Sequence, residues 1–416
     1  MTQMTSTAVT PANTLAVERM VASHPWLVGV KRAADVVPAM APDLILHAAP
    51  PTTWAAMGEG MRGGMIGAAL FEGLASTPEE AAAKAEAGQI RFDAAQNHGA
   101  MAGGVGSITA SMPVMVIEDR SNGNRATHFV MEGLGRTLVS GFYSNDVLAR
   151  LRWFRDSLAL MLDRAISALG GIDAREIIAD ALARGDELHN RNCAATSMLQ
   201  NKLVMGMLEC NVPADEQKRA LQFIDGNPQF FVGVVLPAAS LMLRAARGIR
   251  GCSILTGIGA NGKDCGIQLS GLGERWVVAP AEVPTGVLLP GFCTDDVAPG
   301  CGDSLAVECG GLGASVLPAA PAFWPIIGAS PKDAALYAQN AYSIAAGEHP
   351  YYRVPALGFR GIPIGFDARA VVRTGVLPTI DIMMGHRKPG VGMVGMGVMR
   401  PPMKCFEDAV RALDRC

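Results

Sequence analysis

The stretch NDVLARLRWFRDSLALMLDRAISAL, residues 145–169, decides how the chain is read. Its apolar residues recur three or four positions apart, from Val147, Leu148 and Leu151 to Leu162, Ala165 and Ile166, with charged residues between them. That is the period of a helix with one face turned to a core. The same period continues through DAREIIADALARG (173–185), a stretch over 189–209, ADEQKRALQFIDG (214–226) and PQFFVGVVLPAASLMLRAARG (228–248). Four or five helices punctuated by Gly or Pro predict a helical domain over residues 144–248.

Outward from this block the pattern changes on both sides. Upstream, residues 13–22 suit a helix capped by Asn13 or Thr14, DLILHAA (43–49) a short apolar strand, and PEEAAAKAEAG (78–88) a helix with Pro in its first turn and Gly at its end. IRFDAA (90–95) and MPVMVIED (112–119) read as strands, and SNGN (121–124) turns the second into RATHFVME (125–132). Residues 1–143 are therefore expected to form a mixed sheet with covering helices. Downstream, glycine becomes dense in TGIGANGKDCG (256–266), SGLGERW (270–276), ECGGLGAS (308–315) and KPGVGMVGMGVM (388–399), and a helix over KCFEDAVRALDR (404–415) follows. The fold class is α/β in three parts: 1–143, 144–248 and a glycine-rich α/β domain over 249–416.

Composition narrows the function. The 416 residues suffice for two or three domains, and 50% of them are hydrophobic. A net charge of -3 with both signs intermixed offers no basic stripe for nucleic acid. The most lipid-like run, FFVGVVLPAASLML (230–243), is too short to span a bilayer and contains Pro237, so a buried helix is expected and no membrane. The N-terminal MTQMTSTAVTPANT lacks a secretory pattern, so a cytoplasmic protein is expected. Nine scattered cysteines without a C-x-x-C predict neither disulfides nor a thiolate zinc site.

One segment stands apart. GDELHNRN (185–192) sets Asp186, Glu187, His189, Asn190, Arg191 and Asn192 almost side by side in a chain with only 18% charged residues. A titratable imidazole beside carboxylates, a guanidinium and amides reads as a site or as a buried polar network. Gly185 is expected to end one helix and Asp186 to cap the next. If the run is helical, Asp186 pairs with His189 at i,i+3 and Glu187 with Arg191 at i,i+4. Cys193 follows directly and would be a nucleophile only if charge lowered its pKa; a small buried hydrophobe is the usual outcome.

Other candidates are weaker. GIGANGK (257–263) has P-loop spacing, but Asp264 stands where magnesium binding wants Ser or Thr, and CGIQLSG after it alternates like a strand, so Asn261-Gly262 reads as a hairpin turn. In SGLGERW, Arg275 is placed to clamp an anion, or else Glu274 pairs with an arginine and Trp276 enters the core. GHRKPGVG (385–392) offers His386, Arg387 and Lys388, either as a site or as a basic surface turn. His47 follows a strand, where α/β folds carry chemistry, although a lone His there is more often a satisfied core residue. Asp303 and Ser304 read equally as a helix cap, and Glu132 as a polar strand end. No H-E-x-x-H, G-x-S-x-G or spaced His and carboxylate set appears, so neither a metal nor a cofactor is expected.

LHAAPPTTW, GAALFEG, SNGNRA, SNDVLARLRWFRD, GDELHNRN, SGLGERW, GDS and GHRKPGVGMVGMG together, in this order over nearly the whole chain, resemble the YlbE-like family of bacterial proteins. The resemblance implies a subunit of an FdrA-associated oxamate carbamoyltransferase, which turns oxalurate and phosphate into oxamate and carbamoyl phosphate in allantoin breakdown. It implies an FdrA-like partner subunit and a small-molecule ureide with phosphate as ligands. Ordinary transcarbamylases share S-x-R-T and H-P-x-Q motifs, whereas the His-Pro pairs here read HPWL and HPYY. Any carbamoyl transfer must use a different site.

Phosphorolysis of oxalurate needs a cation for the carboxylate, donors for phosphate, and an acid for the leaving nitrogen. By residue type, His189 is the expected acid/base, Asp186 or Glu187 its orienter, and Arg191 or Arg275 the anion clamp. Asn192, Glu274, His386 and His47 complete the expected substrate-binding set. Two other readings stand beside this one: a ureide amidohydrolase using water, and a non-catalytic scaffold for the FdrA-like partner. Self-association is expected from the apolar helical middle, without heptads to fix a stoichiometry.

Overall fold

The computed structural model describes residues 9–210 and 212–416; the first eight residues, part of the N-terminal stretch read for a secretory signal, lie outside. The fold is mixed α/β, as the sequence implied. Residues 145–168 form the expected helix, with one change. Between Asn145–Trp153 and Ala159–Ala168 the turn Phe154–Leu158 widens to i→i+5 bonding, and Phe154 and Leu158 are both fully buried.

The first sheet has five strands in the order Ala100–Met101, Arg125–Phe129, Pro113–Asp119, Pro25–Arg32 and Ile172–Asp173. Ala100–Met101 runs parallel to its neighbour and the other pairs are antiparallel, which makes the sheet mixed. The SNGN turn joins Pro113–Asp119 to Arg125–Phe129 as a hairpin, with Gly123 at φ +77°. Leu44–His47 pairs in parallel with Arg91–Ala94.

In the glycine-rich part, Leu255–Asn261 and Asp264–Leu269 form an antiparallel hairpin through Gly262, at φ +77°. Two strands flanking this turn leave no place for a P-loop. Val277–Pro280 and Cys301–Gly302 complete that sheet, and Thr285–Leu288, Met393–Met399 and Ile380–Gly385 form a third.

Val232–Ala245 is the expected apolar helix, with Pro237 inside it and every residue from Val232 to Leu243 buried. It packs on the first sheet and on Leu255–Asn261, so one continuous core links them. Among the described residues no helix is long and apolar enough to cross a membrane.

Two expectations about helix ends change. The first helix is Pro11–Ala22, capped by Thr10, whose hydroxyl accepts from Asn13 N–H. Asn13 is buried and serves instead to bind Ser253 through both ends of its amide. The run 185–192 is a loop between the helices Ala174–Ala183 and Cys193–Leu208. Its non-helical path has a local cause: the Glu187 carboxylate takes the N–H groups of His189, Asn190 and Arg191, and Leu188 sits at φ +72°.

Candidate functional site

Glu187 builds the loop that presents His189. Its Oε1 accepts from Asn190 N–H at 2.7 Å and from Arg191 N–H at 2.5 Å, and its Oε2 accepts from His189 N–H. Three N–H groups converging on one carboxylate substitute for the carbonyls of a helical turn. Leu188, fully buried, anchors the loop to the core, and Asn192 Nδ2 donates to His189 O at 2.8 Å. Asp186 does cap the following helix: its Oδ2 accepts from Ala195 N–H at 2.9 Å. Arg191 turns back to Gly185 O at 2.9 Å and stands 3.7 Å from Asp186 Oδ1, so Glu187 is not its ionic partner.

The carboxylates that face the His189 ring come from elsewhere. Nδ1 lies 2.6 Å from Glu308 Oε1 and 3.4 Å from Asp381 Oδ1. Glu308 belongs to the short helix Ala306–Cys309 and Asp381 to the strand Ile380–Gly385. Asn190 Nδ2 donates to Asp381 Oδ1, and the backbone N–H groups of Asp381 and Ala314 approach Glu308 Oε1 at 3.2 and 3.4 Å. Gly313 has φ +57° and lies so close under Glu308 that a Cβ would stand 2.4 Å from Oε1. Glu187, Glu308 and Asp381 are each 0% exposed.

Burial dominates the ionisation of this cluster. It pushes Glu308 and Glu187 well above the usual carboxylate range, with Asp381 adding repulsion at Glu187, and it raises Asp381 to about 7 and Asp186 to about 6. The His189 ring is pushed down by the same desolvation. The Cys193 thiol is pushed up, so it is not an activated nucleophile.

His189 and Asn190 line a pocket with Gly103, Gln229, Ser304 and Met383. Nδ1 is committed to the carboxylates, which leaves Nε2 for this space. A second pocket adjoins it and is walled by His386, Lys388 and the glycines of several turns. Gly104, Cys301 and Met383 line both, so the two share a wall and make a two-part cleft. Gly104, at φ +58°, packs so tightly that a Cβ would meet Val139 O at 2.5 Å. His386 itself is held: Nδ1 accepts from Lys388 N–H at 2.8 Å and Nε2 lies 3.4 Å from Asp296 Oδ1.

Asp303 supports the wall between the halves. Its carboxylate accepts from Ala49 N–H at 2.9 Å, Ala102 N–H at 2.8 Å and Gln96 Nε2 at 2.6 Å, while burial lifts its pKa to about 7. It ties these segments together and does not cap a helix, whereas the neighbouring Ser304 faces the cleft. Glu132 does comparable work for the loop 133–141, accepting from Leu138 N–H at 2.8 Å and from Arg150 Nη2 at 2.7 Å.

The structure does not bring the remaining sequence candidates to this cleft. Glu274 is exposed and paired with Arg247 at 3.0 Å, Arg275 is exposed beside it, and Trp276 Nε1 approaches Asn97 Oδ1 at 3.4 Å. His47 is buried, with Nδ1 at 2.7 Å from Ala48 O. Glu308 and Asp381 were not singled out from the sequence. Each is a lone acid in an otherwise apolar run, LAVECGG and PTIDIMMG, and that isolation was the available signal.

Comparison with known proteins gives the family. The family model described as oxamate carbamoyltransferase subunit AllG matches residues 90–304, a span that holds the 185–192 loop, Ser304 and the apolar helix. The oxamate carbamoyltransferase subunit AllG of Escherichia coli strain K12 is 34% identical over 411 residues, covering 98% of both chains. YahG of the same strain, described as uncharacterized, is 34% identical over 402 residues, 97% of this chain and 85% of YahG. A crystal structure of a conserved protein of unknown function from Enterococcus faecalis V583 superposes with a TM-score of 0.95 at 35% identity, over 97% of each chain. On these matches the chain belongs to the family of oxamate carbamoyltransferase subunit AllG.

Proposed function

We propose that the two-part cleft is the site at which this subunit takes part in carbamoyl transfer, with oxalurate and phosphate giving oxamate and carbamoyl phosphate. The observation that carries the reading is the juxtaposition in one cleft of an oriented imidazole, His189, and a glycine-walled cavity with a cation, Lys388. In this reaction a phosphate oxygen attacks the carbamoyl carbon, the bond from that carbon to the oxamate nitrogen breaks, and the nitrogen takes up a proton. His189 Nε2 is assigned a hydrogen-bond donor role at the leaving nitrogen, and the proton that nitrogen takes comes from the attacking hydrogen phosphate. Ser304, in the same cavity, offers a hydroxyl to the planar ureide, and Lys388 with nearby backbone N–H groups takes the phosphate. Asp186, Glu187, Arg191 and Asn192 act as positioning residues for the His189 loop. The anion-clamp role expected of Arg191 or Arg275 passes to Lys388, because Arg191 is bound to its own loop and Arg275 lies outside the cleft.

The partner proposed is an FdrA-like subunit, since the relative's name describes one subunit of a larger enzyme. The test is carbamoyl phosphate formation from oxalurate and phosphate, by the purified protein alone and mixed with the FdrA-like product of its own gene neighbourhood. Product in the mixture is expected. Within the mixture, His189→Gln should lower kcat roughly 100-fold or more, and Lys388→Ala should act mainly on the KM for phosphate. Turnover independent of phosphate would point to a ureide amidohydrolase. Absence of product with a folded, bound partner would refute the carbamoyl-transfer assignment.

A further inference from the structure

We propose that His189 Nδ1, Glu308 and Asp381 together hold a divalent transition-metal ion at the inner end of the cleft. One ligating atom from each residue can be chosen so that all three lie within 4.8 Å of one another, and the residues come from three separate segments: a loop, a helix and a strand. The observed separations are 2.6 Å from Nδ1 to Glu308 Oε1 and 3.4 Å from Nδ1 to Asp381 Oδ1. Ligands at right angles, each about 2.1 Å from an ion, stand about 3 Å apart, midway between these values.

Two independent observations ask for a cation there. The first is charge: Glu308 and Asp381 are completely buried, Glu187 is buried beside them, and among the described residues neither Glu308 nor Asp381 has a Lys or Arg within 4.0 Å. Buried carboxylates are ordinarily paired or bound to metal. The second is unmet bonding: Glu308 Oε2 and Asp381 Oδ2 are buried oxygens with no donor among the described residues. The surroundings also behave as an outer shell would, since Asn190 Nδ2 and backbone N–H groups orient the two carboxylates without blocking those oxygens. One imidazole and two carboxylates suit ions such as Zn²⁺ or Mn²⁺.

The ion would replace the proton on Nδ1, neutralise the two carboxylates and fix the ring so that Nε2 always carries its hydrogen toward the cleft. That role deepens the reading of the cleft as the transfer site and rests on it. His189 then assists the leaving nitrogen by hydrogen bonding, and the proton that nitrogen finally takes comes from the attacking hydrogen phosphate. Binding of the ion itself does not depend on turnover.

The experiment treats the full-length protein with EDTA, removes the chelator and titrates with Mn²⁺ alone, following loss of the free-ion electron paramagnetic resonance signal. One bound equivalent is expected, with pulsed resonance detecting a coupled imidazole nitrogen in the unmodified protein. His189→Gln and Asp381→Asn should each weaken binding roughly tenfold or more. The nitrogen coupling is read without any variant, so a misfolded substitution does not remove the test. No bound equivalent up to about 1 mM Mn²⁺, the weak limit for useful protein sites, or a bound ion lacking nitrogen coupling, would overturn the proposal. Unimpaired carbamoyl transfer by chelated protein would overturn the ion's role and leave the functional reading standing. A bound ion without transfer would do the reverse.

Discussion

Replacing Glu187 with Gln tests the claim that one carboxylate holds the His189 loop. The side chain keeps its size but loses one acceptor oxygen. Oε1 now serves two N–H groups, at 2.7 and 2.5 Å, and Oε2 serves a third. In the better orientation the amide oxygen keeps the pair and its NH2 confronts His189 N–H, leaving a buried donor unmet at a cost of about 1–3 kcal/mol. A net loss of about 1–3 kcal/mol is therefore expected. Urea unfolding at pH 7 and 25 °C, followed by tryptophan fluorescence, reads the global part. Hydrogen exchange of a peptide spanning residues 185–192 reads the local part, where about 2 kcal/mol corresponds to roughly 30-fold faster exchange. A change below about 0.5 kcal/mol with unaltered exchange would mean that the loop is held by something other than Glu187.

Two further outcomes follow from the same structure. Gly104→Ala should cost about 2–4 kcal/mol, since φ +58° and a 2.5 Å approach to Val139 O both oppose a Cβ, and it should impair turnover because both cavities meet there; an unchanged urea midpoint would refute the packing argument. His128 is fully buried and its pKa is pushed by desolvation from 6.5 to about 4, so the unfolded chain binds its proton first as pH falls. Stability is therefore lost on acidification through this window, by about 2 kcal/mol between pH 7 and pH 5. His128→Gln should abolish that share of the pH dependence of the urea midpoint, and identical pH dependence in the two proteins would contradict it.

What the sequence made legible followed from local physics. The 145–169 run announces its helix because apolar spacing there is set by one neighbouring core face. SNGN and Asn261-Gly262 announce hairpins because each supplies a glycine at positive φ in a tight turn. The GDELHNRN run announced a site or a buried polar network, and the structure shows the buried network; its helical reading failed, because Glu187 competes for the backbone N–H groups that a helix would use. Recognising that competition requires knowing that Glu187 is buried, and its surroundings include Gly313, distant in sequence, which donates to its backbone carbonyl. The partners of His189 were out of reach for the same reason. Positions 189, 308 and 381 are joined only by tertiary folding, and no spacing rule links them. The weight given to Arg275 and Glu274 shows the converse error, because a charged residue after a glycine turn looks alike whether it faces a ligand or open solvent.

The network around His189 is not one that stability alone would retain. Desolvating a carboxylate costs several kcal/mol, and buried ionic groups are frequently replaceable by apolar ones with a gain in stability. Here Glu187, Glu308 and Asp381 surround a single imidazole, and Leu188 adds an unfavourable left-handed backbone beside it. These costs fall on the loop, helix and strand that hold His189. Three buried carboxyl groups gathered around one imidazole at a cavity wall are what a reaction site requires and what a passive scaffold surface would lose. That asymmetry favours a chemical role for this subunit itself over one confined to positioning a partner, and separating the two needs only the His189→Gln protein: assembly intact with turnover lost supports the first, assembly lost with it the second.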